Sequence, residues 1–332
     1  MFSDIYFRLL LEVMERDSHI QSIPKLIDDA KRAELNSVRN FYLLIRSAYQ
    51  QYPQTNIGFE FGGHIKPINA CDFSRLITTA DTVYAAFSLL VDQYPRLSLK
   101  VFPQLYRNER DLSIALSTPS EYLLKDGYRR FSSETFFRYC MSILKDLTDR
   151  EVKPKKIYFD YPKPKYADEY QRIFACELVF DAPLAMIVFD EAIADTALSS
   201  RNPYLHDVYL MKSQETWQGM KRQQSFRYRA ISQMMQGYPK SFNSQWLAQS
   251  LNISTRGLQK RLSAEGSSFS AILQVVRREI TKICLYQKHE DFDEVGKNLG
   301  FQTQASFRKF FKQQFGISPR MLEESICEEP IN

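Results

Sequence analysis

The sequence lacks the residue patterns that define most enzymes and metalloproteins. It has 5 Cys, 4 His and 2 Trp among 332 residues, and the cysteines are scattered and odd in number. This usage indicates reduced thiols in a cytoplasmic protein rather than a disulfide framework. The histidines and cysteines do not have the spacing of zinc ligands, and there is no glycine-rich phosphate loop or nucleophile motif. We therefore expect no catalytic residues, no metal and no cofactor.

The sequence also lacks long hydrophobic runs. The longest uncharged apolar run, Pro183–Phe189, is too short to cross a bilayer, so we expect no membrane span. The first residues have no basic segment and include Asp4, so we do not expect a secretory signal. With 11 Gly, 14 Pro, 44% hydrophobic and 25% charged residues, the composition is that of a globular protein with sizeable cores. The length favours two domains.

Positive charge is concentrated in the last third of the chain. Residues 221–320 contain 17 Lys and Arg against 6 Asp and Glu, a net +11, whereas residues 1–220 contain 27 against 29, a net −2. This asymmetry indicates a domain that binds a polyanion, joined to a nearly neutral domain. We predict a first domain over residues 1–220 and a second over residues 221–332. A polar, locally basic stretch near residues 200–224 is the predicted linker.

Two stretches of the last third are related by a weak repeat. The first is Trp246–Leu262 and the second is Glu294–Phe311. Each begins with a short helical pattern that carries a small residue, Ala248 or Gly296, one position after an apolar one. A tight turn and a second helical pattern follow, and the small residue lets the two helices cross closely. This order predicts two helix-turn-helix units.

The second helix of each unit is predicted to bury one face and to expose a polar one. Ser254 and Thr303 stand at the N-cap positions, four residues before the apolar anchors Leu258 and Phe307. At about 100° per residue, the outward positions of the two units correspond to each other. They are Arg256, Gln259 and Lys260 in the first unit, and Ala305, Arg308, Lys309 and Lys312 in the second. Solvation alone gives no reason for this correspondence, whereas such donors fit the base edges of a DNA major groove.

A helical pattern over Phe269–Gln287 connects the two units. A helix of these 19 residues spans roughly 28 Å at a rise of 1.5 Å per residue. Successive turns of DNA lie about 34 Å apart. The length of the connecting helix therefore suits two recognition helices that bind one duplex about a helical turn apart.

Together these stretches resemble the DNA-binding domain of the AraC/XylS family of bacterial transcription regulators. The resemblance lies in LAQSLNISTRGLQKRL, in the connecting helix with Arg277 and Arg278, and in GFQTQASFRKFFKQQFGISP, which spans Gly300–Pro319. It covers about 100 residues with nearly regular spacing. The resemblance implies an all-α domain of two helix-turn-helix motifs joined by a long helix, which reads two successive major grooves of double-stranded DNA.

The resemblance also implies roles for individual residues. The positions implied to face bases are Arg256, Gln259, Lys260, Gln304, Arg308 and Lys309. Those implied to face phosphates are Ser254, Arg261, Thr303 and Lys312. Two residues depart from the family pattern. Gly296 replaces the usual Ala and is expected to loosen its helix, and Lys309 replaces a frequent Arg and is expected to lose bidentate geometry.

The first two thirds of the chain alternate between helical and strand patterns. Helical spacing occurs near residues 83–90 and over Ser133–Leu147. Strand patterns occur in LSLKVF (97–102) and DLSIALS (111–117), with YRNER as the hairpin connection, and later in KKIYFDY, ELVF and AMIVF. The order helix, hairpin, helix, strand, helix, strand, strand predicts an α+β domain with a mostly antiparallel sheet.

This first domain resembles the arabinose-binding-type sensor domain of ornithine-regulator and virulence-regulator members of the same family. The resemblance rests on element order and on the region FDYPKPKYADEY. It implies a domain that senses a small-molecule effector and forms a homodimer. It does not identify the effector, and the name of the domain type is not evidence for arabinose. For the whole chain the resemblance implies a transcription activator that contacts RNA polymerase.

Candidate ligand-binding residues in the first domain are few. His64 follows two glycines and either lines a cleft or lies in an inactive loop. Four tyrosines either face a ligand or pack their rings against the sheet: Tyr158, Tyr161, Tyr166 and Tyr170. We interpret a basic cluster in the same region as a solvated rim: Lys153, Lys155, Lys156, Lys163 and Lys165.

Two other functions compete with an effector-controlled regulator. A DNA-repair enzyme fused to the same DNA-binding module would need an activated or zinc-bound cysteine, and no cysteine pair has suitable spacing. A non-specific architectural DNA binder would not need a neutral domain of 220 residues, and it would show no sequence preference. No pattern in the sequence distinguishes an activator from a repressor.

Overall fold

The computed structural model describes residues 2–16, 38–65, 72–94, 101–117, 127–220, 225–238, 242–286, 291–316 and 318. The chain divides into two units, Met1–Arg222 and Gln223–Asn332. Within the described ranges, no helix combines the length and the apolar character needed to cross a membrane.

The first unit is built on a five-stranded sheet with the order β1-β2-β5-β3-β4. Its strands are β1 (Phe102–Arg107), β2 (Asp111–Ser117), β3 (Lys156–Tyr158), β4 (Glu177–Val179) and β5 (Ala185–Asp190). All neighbouring strands are antiparallel except β3 and β4, which are parallel. The central strands β2 and β5 are buried along most of their length. The predicted α+β class with a mostly antiparallel sheet is confirmed.

The first domain also contains helices, most of whose contacts are with one another. Those described are α1 (Phe2–Arg16), α2 (Val38–Gln51), α3 (Ile57–His64), α4 (Asp72–Thr78), α5 (Val83–Gln93), α6 (Gly127–Thr148), α7 (Ala167–Phe174) and α8 (Pro203–Met220). The predicted helices at 83–90 and 133–147 are confirmed within α5 and α6. Helices α1 to α4 were not predicted.

Helix α3 crosses α6 with almost no space between the two backbones. A Cβ atom added to Gly58 would lie 2.7 Å from the Cα of Phe131, and one added to Gly62 would lie 2.5 Å from the carbonyl oxygen of Thr135. The Thr135 hydroxyl also donates to the carbonyl of Gly58 at 3.0 Å. Only glycine fits at these two positions, which lie one helical turn apart on the same face of α3.

The first strand differs from its prediction. LSLKVF was predicted to form it, but the strand begins at Phe102 and continues to Arg107, and residues 95–100 lie outside the described ranges. Pro103 is tolerated because β1 is an edge strand, where a missing N–H need not break the ladder. The turn is also shorter than YRNER, because Asn108 Oδ1 accepts the N–H groups of Arg110 and Asp111 at 2.8 and 2.9 Å.

Most of the predicted linker near residues 200–224 is helical. Helix α8 begins at Pro203 and contacts α4. The N–H of Asn202 donates to the Thr79 carbonyl at 3.4 Å, and the Thr79 hydroxyl lies 3.3 Å from Nδ1 of His206. Residues 221–224 lie outside the described ranges. The polar composition that indicated a linker is therefore that of a surface helix over residues 203–220.

The described part of the second domain, Gln223–Asn332, is helical. Its helices are α9 (Phe226–Gln236), α10 (Ser244–Ser250), α11 (Thr255–Ala264), α12 (Phe269–Tyr286), α13 (Phe292–Asn298) and α14 (Gln304–Phe315). Helices α10 and α11 form the first helix-turn-helix unit, α13 and α14 form the second, and α12 connects them. The core includes Leu258, Ile280 and Phe307, all at most 1% exposed. The predicted arrangement of two units joined by a long helix is confirmed.

Candidate nucleic-acid interface

The first helix-turn-helix unit turns through a pair of backbone hydrogen bonds at the end of α10. The N–H of Ile253 donates to the carbonyl of Ala248 at 2.9 Å, and that of Asn252 donates to Gln249 at 2.9 Å. Asn252 has a φ of 55°, the left-handed conformation that closes a helix in this way. The turn therefore has a fixed geometry set by its own backbone.

The second unit repeats the same bonds at the end of α13. The N–H of Phe301 donates to the carbonyl of Gly296 at 3.0 Å, and that of Gly300 donates to Lys297 at 2.8 Å. Gly300 has a φ of 76°. The weak sequence repeat thus corresponds to a repeated backbone structure. The second turn is one residue longer, because Gln302 has no counterpart before the first recognition helix.

Both recognition helices, α11 and α14, begin at the predicted caps. The Ser254 hydroxyl accepts the N–H of Gly257 at 3.1 Å, and the Thr303 hydroxyl accepts that of Ser306 at 3.2 Å. A hydroxyl that accepts at its oxygen still has a hydrogen to donate. The caps are therefore chemically able to donate to a phosphate, as the family resemblance implies.

Gly296 provides room for the ring of Phe307. A Cβ atom at residue 296 would lie 2.7 Å from Cδ1 of Phe307, closer than real contacts allow. The ring of Phe307 packs against Phe292, with centroids 4.4 Å apart, and against Phe301 at 5.2 Å. The first helix-turn-helix unit has Ala248 and the smaller Leu258 at the corresponding positions. The departure from the family pattern is thus paired with a larger side chain on the facing helix.

The structure exposes every residue implied to face bases or phosphates. These residues are Arg256, Gln259, Lys260, Gln304, Arg308 and Lys309, with Ser254, Arg261, Thr303 and Lys312. In each recognition helix the opposite face is buried, through Leu258 and Leu262 in α11 and through Phe307, Phe310 and Phe311 in α14. Each helix therefore presents a polar face to solvent.

Besides the two caps, Ser254 and Thr303, two of these residues contact another helix of the protein. The Gln304 amide nitrogen donates a hydrogen bond to Oδ2 of Asp293 in α13. The guanidinium of Arg261 lies over the ring of Phe226 in α9, 5.5 Å from its centroid. Arg261 therefore packs toward α9, a contact that the family resemblance, which implied a phosphate contact, did not include.

A carboxylate fastens the end of the first recognition helix to the start of α9. Glu265 Oε1 accepts the N–H of Phe226 at 2.6 Å, and Oε2 accepts that of Arg227 at 2.8 Å. The guanidinium of Arg229 lies 5.8 Å from the ring centroid of Phe226. Its pKa is lowered by desolvation and by the charge of Arg261. No pattern in the sequence indicates this role, because a single acid in a basic segment has no distinctive spacing.

Arg277 of the connecting helix holds the second turn. Its Nε donates to the carbonyl of Leu299 at 2.9 Å, and its Nη2 donates to that of Gly300 at 3.1 Å. The guanidinium also lies 4.0 Å from the ring centroid of Phe301. Desolvation lowers the pKa of Arg277. The family resemblance included this arginine, but only the structure shows that it positions the turn.

A buried carboxylate in the first unit collects the hydroxyls of several tyrosines. Glu134 is fully buried in α6 and accepts from Tyr166 at 2.6 Å, from Tyr49 at 3.1 Å and from Tyr170. Arg130 lies 3.8 Å from the same carboxylate. Desolvation raises the pKa of Glu134. Tyr166 and Tyr170 are therefore engaged inside the protein, and the sequence did not identify Glu134.

The other candidates of the first domain, Met1–Arg222, range from exposed to buried. His64 is the exposed last residue of α3, and its Nδ1 lies 2.8 Å from the carbonyl oxygen of Glu60, so its assignment to a loop was wrong. Lys155 pairs with Asp111 at 2.7 Å and Lys156 with Glu177 at 2.8 Å. The remaining lysines of the cluster, Lys153, Lys163 and Lys165, are exposed. Tyr161 is buried, and Tyr158 is half-buried below Lys156.

The described cysteines have the environment of unreactive thiols. Burial raises the pKa of Cys140, and burial with the charge of Glu177 raises that of Cys176 to about 12. Cys284 is buried and its thiol lies 3.3 Å from the hydroxyl of Tyr238. No group of three His, Cys, Asp or Glu suited to a metal occurs among the residues that the structure describes. Cys71 and Cys327 lie outside those residues.

Comparisons with known proteins agree with this geometry. Residues 24–198 match the model of the arabinose-binding domain of AraC transcription regulators, and residues 247–325 match a helix-turn-helix domain. The chain is 21% identical over 196 residues to the ornithine utilization regulator of Pseudomonas aeruginosa. That alignment covers 59% of this chain and 58% of the relative, less than two thirds of its length.

Among solved structures, the chain is similar to the transcriptional regulator CdpR from Pseudomonas aeruginosa. The superposition covers 90% of this chain and 96% of that one, with 16% sequence identity and a TM-score of 0.46. The match to the arabinose-binding domain spans more than half of this chain. By that match the chain belongs to the AraC family of transcription regulators.

Proposed function

We propose that this chain is a sequence-specific DNA-binding transcription regulator, acting as an activator under the control of a small-molecule effector. The observation that carries the proposal is the repeated helix-turn-helix structure, in which two recognition helices expose Arg, Lys and Gln. The net charge of +11 over residues 221–320 supplies attraction to phosphates. In this proposal residues 221–332 bind DNA, and residues 1–220 sense the effector and dimerise.

The chemistry of the exposed side chains suits two kinds of DNA contact. Arg256 and Arg308 can donate two hydrogen bonds to guanine, and Gln259 can bracket adenine. Lys260 and Lys309 donate as compact charges, without the bidentate geometry of arginine. The residues proposed to contact phosphates are Ser254, Arg261, Thr303 and Lys312. These contacts set register on the duplex, whereas the base contacts set sequence preference.

The proposal is tested with charge-matched double variants of the full chain. R256A/K260A removes two exposed cations from α11, and K145A/K212A removes two exposed cations from the first unit. Each is titrated against enriched genomic sites and scrambled DNA at several salt concentrations. We expect R256A/K260A to lose affinity mainly for the enriched sites, by roughly 1–3 kcal/mol per base contact, and the control to bind normally. Equal losses on both DNAs would mean that α11 does not read bases.

The effector is proposed from the family alone. Ornithine is a first compound to test because the similar Pseudomonas regulator is named for its utilization. Arabinose is a second, because the matched domain is described by that sugar. Calorimetric titration of the full chain with each compound, followed by DNA binding with and without it, would identify an effector. Homodimerisation, contact with RNA polymerase and action in the bacterial cytoplasm complete the proposal.

The two competing functions have less support. An alkyl-accepting repair enzyme needs a thiolate, whereas Cys140 and Cys176 both have raised pKa values that keep the thiol protonated. A non-specific architectural binder is separated by the titration above, because it would bind genomic and scrambled DNA alike.

A further inference from the structure

Gln304 is the first residue of the second recognition helix, and its side chain is hydrogen-bonded to another residue. Its side-chain nitrogen Nε2 donates to Oδ2 of Asp293, which lies in the first turn of the preceding helix α13. Gln304 is itself exposed at the start of α14. An exposed glutamine is otherwise free to rotate its amide and to present either the oxygen or the nitrogen to a base.

The partner decides which end of the amide turns away. An ionised carboxylate carries only acceptors, whereas the glutamine amide has an acceptor oxygen and two N–H donors. Placing Oε1 of Gln304 against Asp293 would oppose two acceptors. The nitrogen therefore stays toward Asp293, and one of its two hydrogens is used there. The other hydrogen and Oε1 remain available, as one donor beside one acceptor in a fixed order.

The surroundings of the Asp293 carboxylate favour this hydrogen bond. Its other oxygen, Oδ1, is shielded from solvent and has no hydrogen-bond partner within the part of the chain that the structure describes. Without Gln304 this half-buried carboxylate would lose the hydrogen bond at Oδ2 as well, and a hydrogen bond to a charged group contributes more than one between neutral groups. The orientation of the Gln304 amide is therefore set before the protein binds DNA.

This arrangement belongs to the second unit only. By the alignment of the two helix-turn-helix units, the residues that correspond to Asp293 and Gln304 are Gln245 and Thr255. Neither is a carboxylate, so the first unit has no equivalent device. The two halves of a recognised site are thereby expected to differ at this position.

Resting on the proposed function, we infer that Asp293 is a specificity-determining positioning residue that restricts Gln304 to adenine. In the major groove adenine offers the N6 amino donor beside the N7 acceptor, which matches the acceptor and donor left on Gln304. Guanine offers acceptors at both O6 and N7, so Oε1 would oppose O6. Thymine offers the O4 acceptor, and cytosine offers only the N4 donor. Asp293 selects among bases without touching DNA.

The test is selection of binding sites from a randomised duplex library by the full chain and its variants, read by sequencing. Q304A identifies the base pair at which preference depends on this side chain. At that pair we expect the wild type to prefer adenine over guanine by roughly tenfold or more. D293N replaces the carboxylate by an amide that can donate to Oε1 as well as accept, so Gln304 can turn over and guanine should be tolerated.

E294Q is the matched control. It makes the same change from acid to amide at the next residue, which is exposed. Both variants remove one negative charge and should raise the affinity for all DNA similarly, but only D293N should change the ratio of adenine to guanine. That ratio is measured within each bound pool, so a smaller folded fraction of a variant lowers total binding without changing it.

Three results would overturn the inference. They are a guanine preference of the wild type at the pair identified by Q304A, an unchanged ratio in D293N, and the absence of any pair that depends on Gln304. An enriched motif with either of the last two results would leave the proposed function intact. A library without any enriched motif would overturn the proposed function, and the inference with it.

Discussion

The carboxylate of Glu265, one residue beyond the first recognition helix, accepts the N–H of Phe226 at the start of α9 with a distance of 2.6 Å. The same carboxylate accepts the N–H of Arg227, so both oxygens cap α9. A helix that the proposal assigns to base reading is thus tied at its end to the first helix of the second unit. The position of α11 consequently depends on α9 as well as on its own turn.

Replacing Glu265 should destabilise the second unit. E265A removes a cap that satisfies two N–H groups, and loss of a cap typically costs about 0.5–2 kcal/mol. E265Q keeps one acceptor oxygen and should lose less. The measurement is urea denaturation of the full chain followed by circular dichroism. If both variants unfold at the wild-type urea concentration, the carboxylate does not contribute to the stability of α9.

The Gly296–Phe307 contact predicts an unusual pair of effects. G296A should destabilise the second unit by about 1–3 kcal/mol, because the added methyl group overlaps the Phe307 ring. G296A/F307L copies the Ala and Leu of the first helix-turn-helix unit and should recover part of that loss. Thermal melting of the two single variants and the double variant gives the coupling between the sites. Additive losses would show that the two residues do not share one space.

Arg277 and Arg308 should separate stability from DNA binding. R277A removes two charge-assisted hydrogen bonds to the turn and should cost about 2 kcal/mol of unfolding free energy. R277K should recover little, because an ammonium lacks the fork that spans two carbonyls. R308A should leave the melting temperature unchanged and weaken binding to enriched sites. An R277A protein as stable as the wild type would contradict the positioning role.

Buried tyrosines predict that the first unit loses stability in alkali. Burial raises the pKa of Tyr128 to about 12, and the pKa values of Tyr49, Tyr94, Tyr161, Tyr166 and Tyr170 are raised as well. The folded-state pKa of each tyrosine lies above the unfolded value of about 10. The contribution of the protonated tyrosines to the free energy of unfolding is therefore fully present below about pH 10. Each such tyrosine then lowers it by about 1.4 kcal/mol per pH unit until its folded-state pKa is reached.

Urea denaturation between about pH 9 and pH 11 checks this dependence. Y128F should start with a loss of about 1 kcal/mol near neutral pH, because the bond to the Tyr42 hydroxyl is removed. Above pH 10 its stability should fall less steeply than that of the wild type, by the share of one tyrosine. Parallel curves for the two proteins would mean that Tyr128 titrates alike in the folded and unfolded states.

The sequence predicted the parts of the fold that depend on local pattern. The helical spacing of Leu258 and Leu262, and of Phe307 and Phe311, located both recognition helices and their exposed faces. The caps at Ser254 and Thr303 followed from residue type. The first strand was placed by the alternation in LSLKVF, whereas it begins at Phe102 and includes Pro103, and helices α1 to α4 were not predicted.

The residues that the sequence did not identify act through contacts that no local pattern encodes. Glu134 meets Tyr49 across 85 positions of the chain, and Glu265 meets Phe226 across 39. Asp293 lies 11 positions from Gln304, on the other side of a turn. Each is a single carboxylate whose partner becomes evident only when the elements are assembled.

The close crossing of α3 and α6 also limits how the first unit can move. At Gly58 and Gly62 there is no side chain between the two backbones that could change rotamer and absorb a displacement. Packed interiors of this kind yield by shifting whole elements rather than by deforming gradually. The two helices should therefore move together as one rigid body. Any rearrangement caused by an effector must be accommodated at less tightly packed contacts of the first domain.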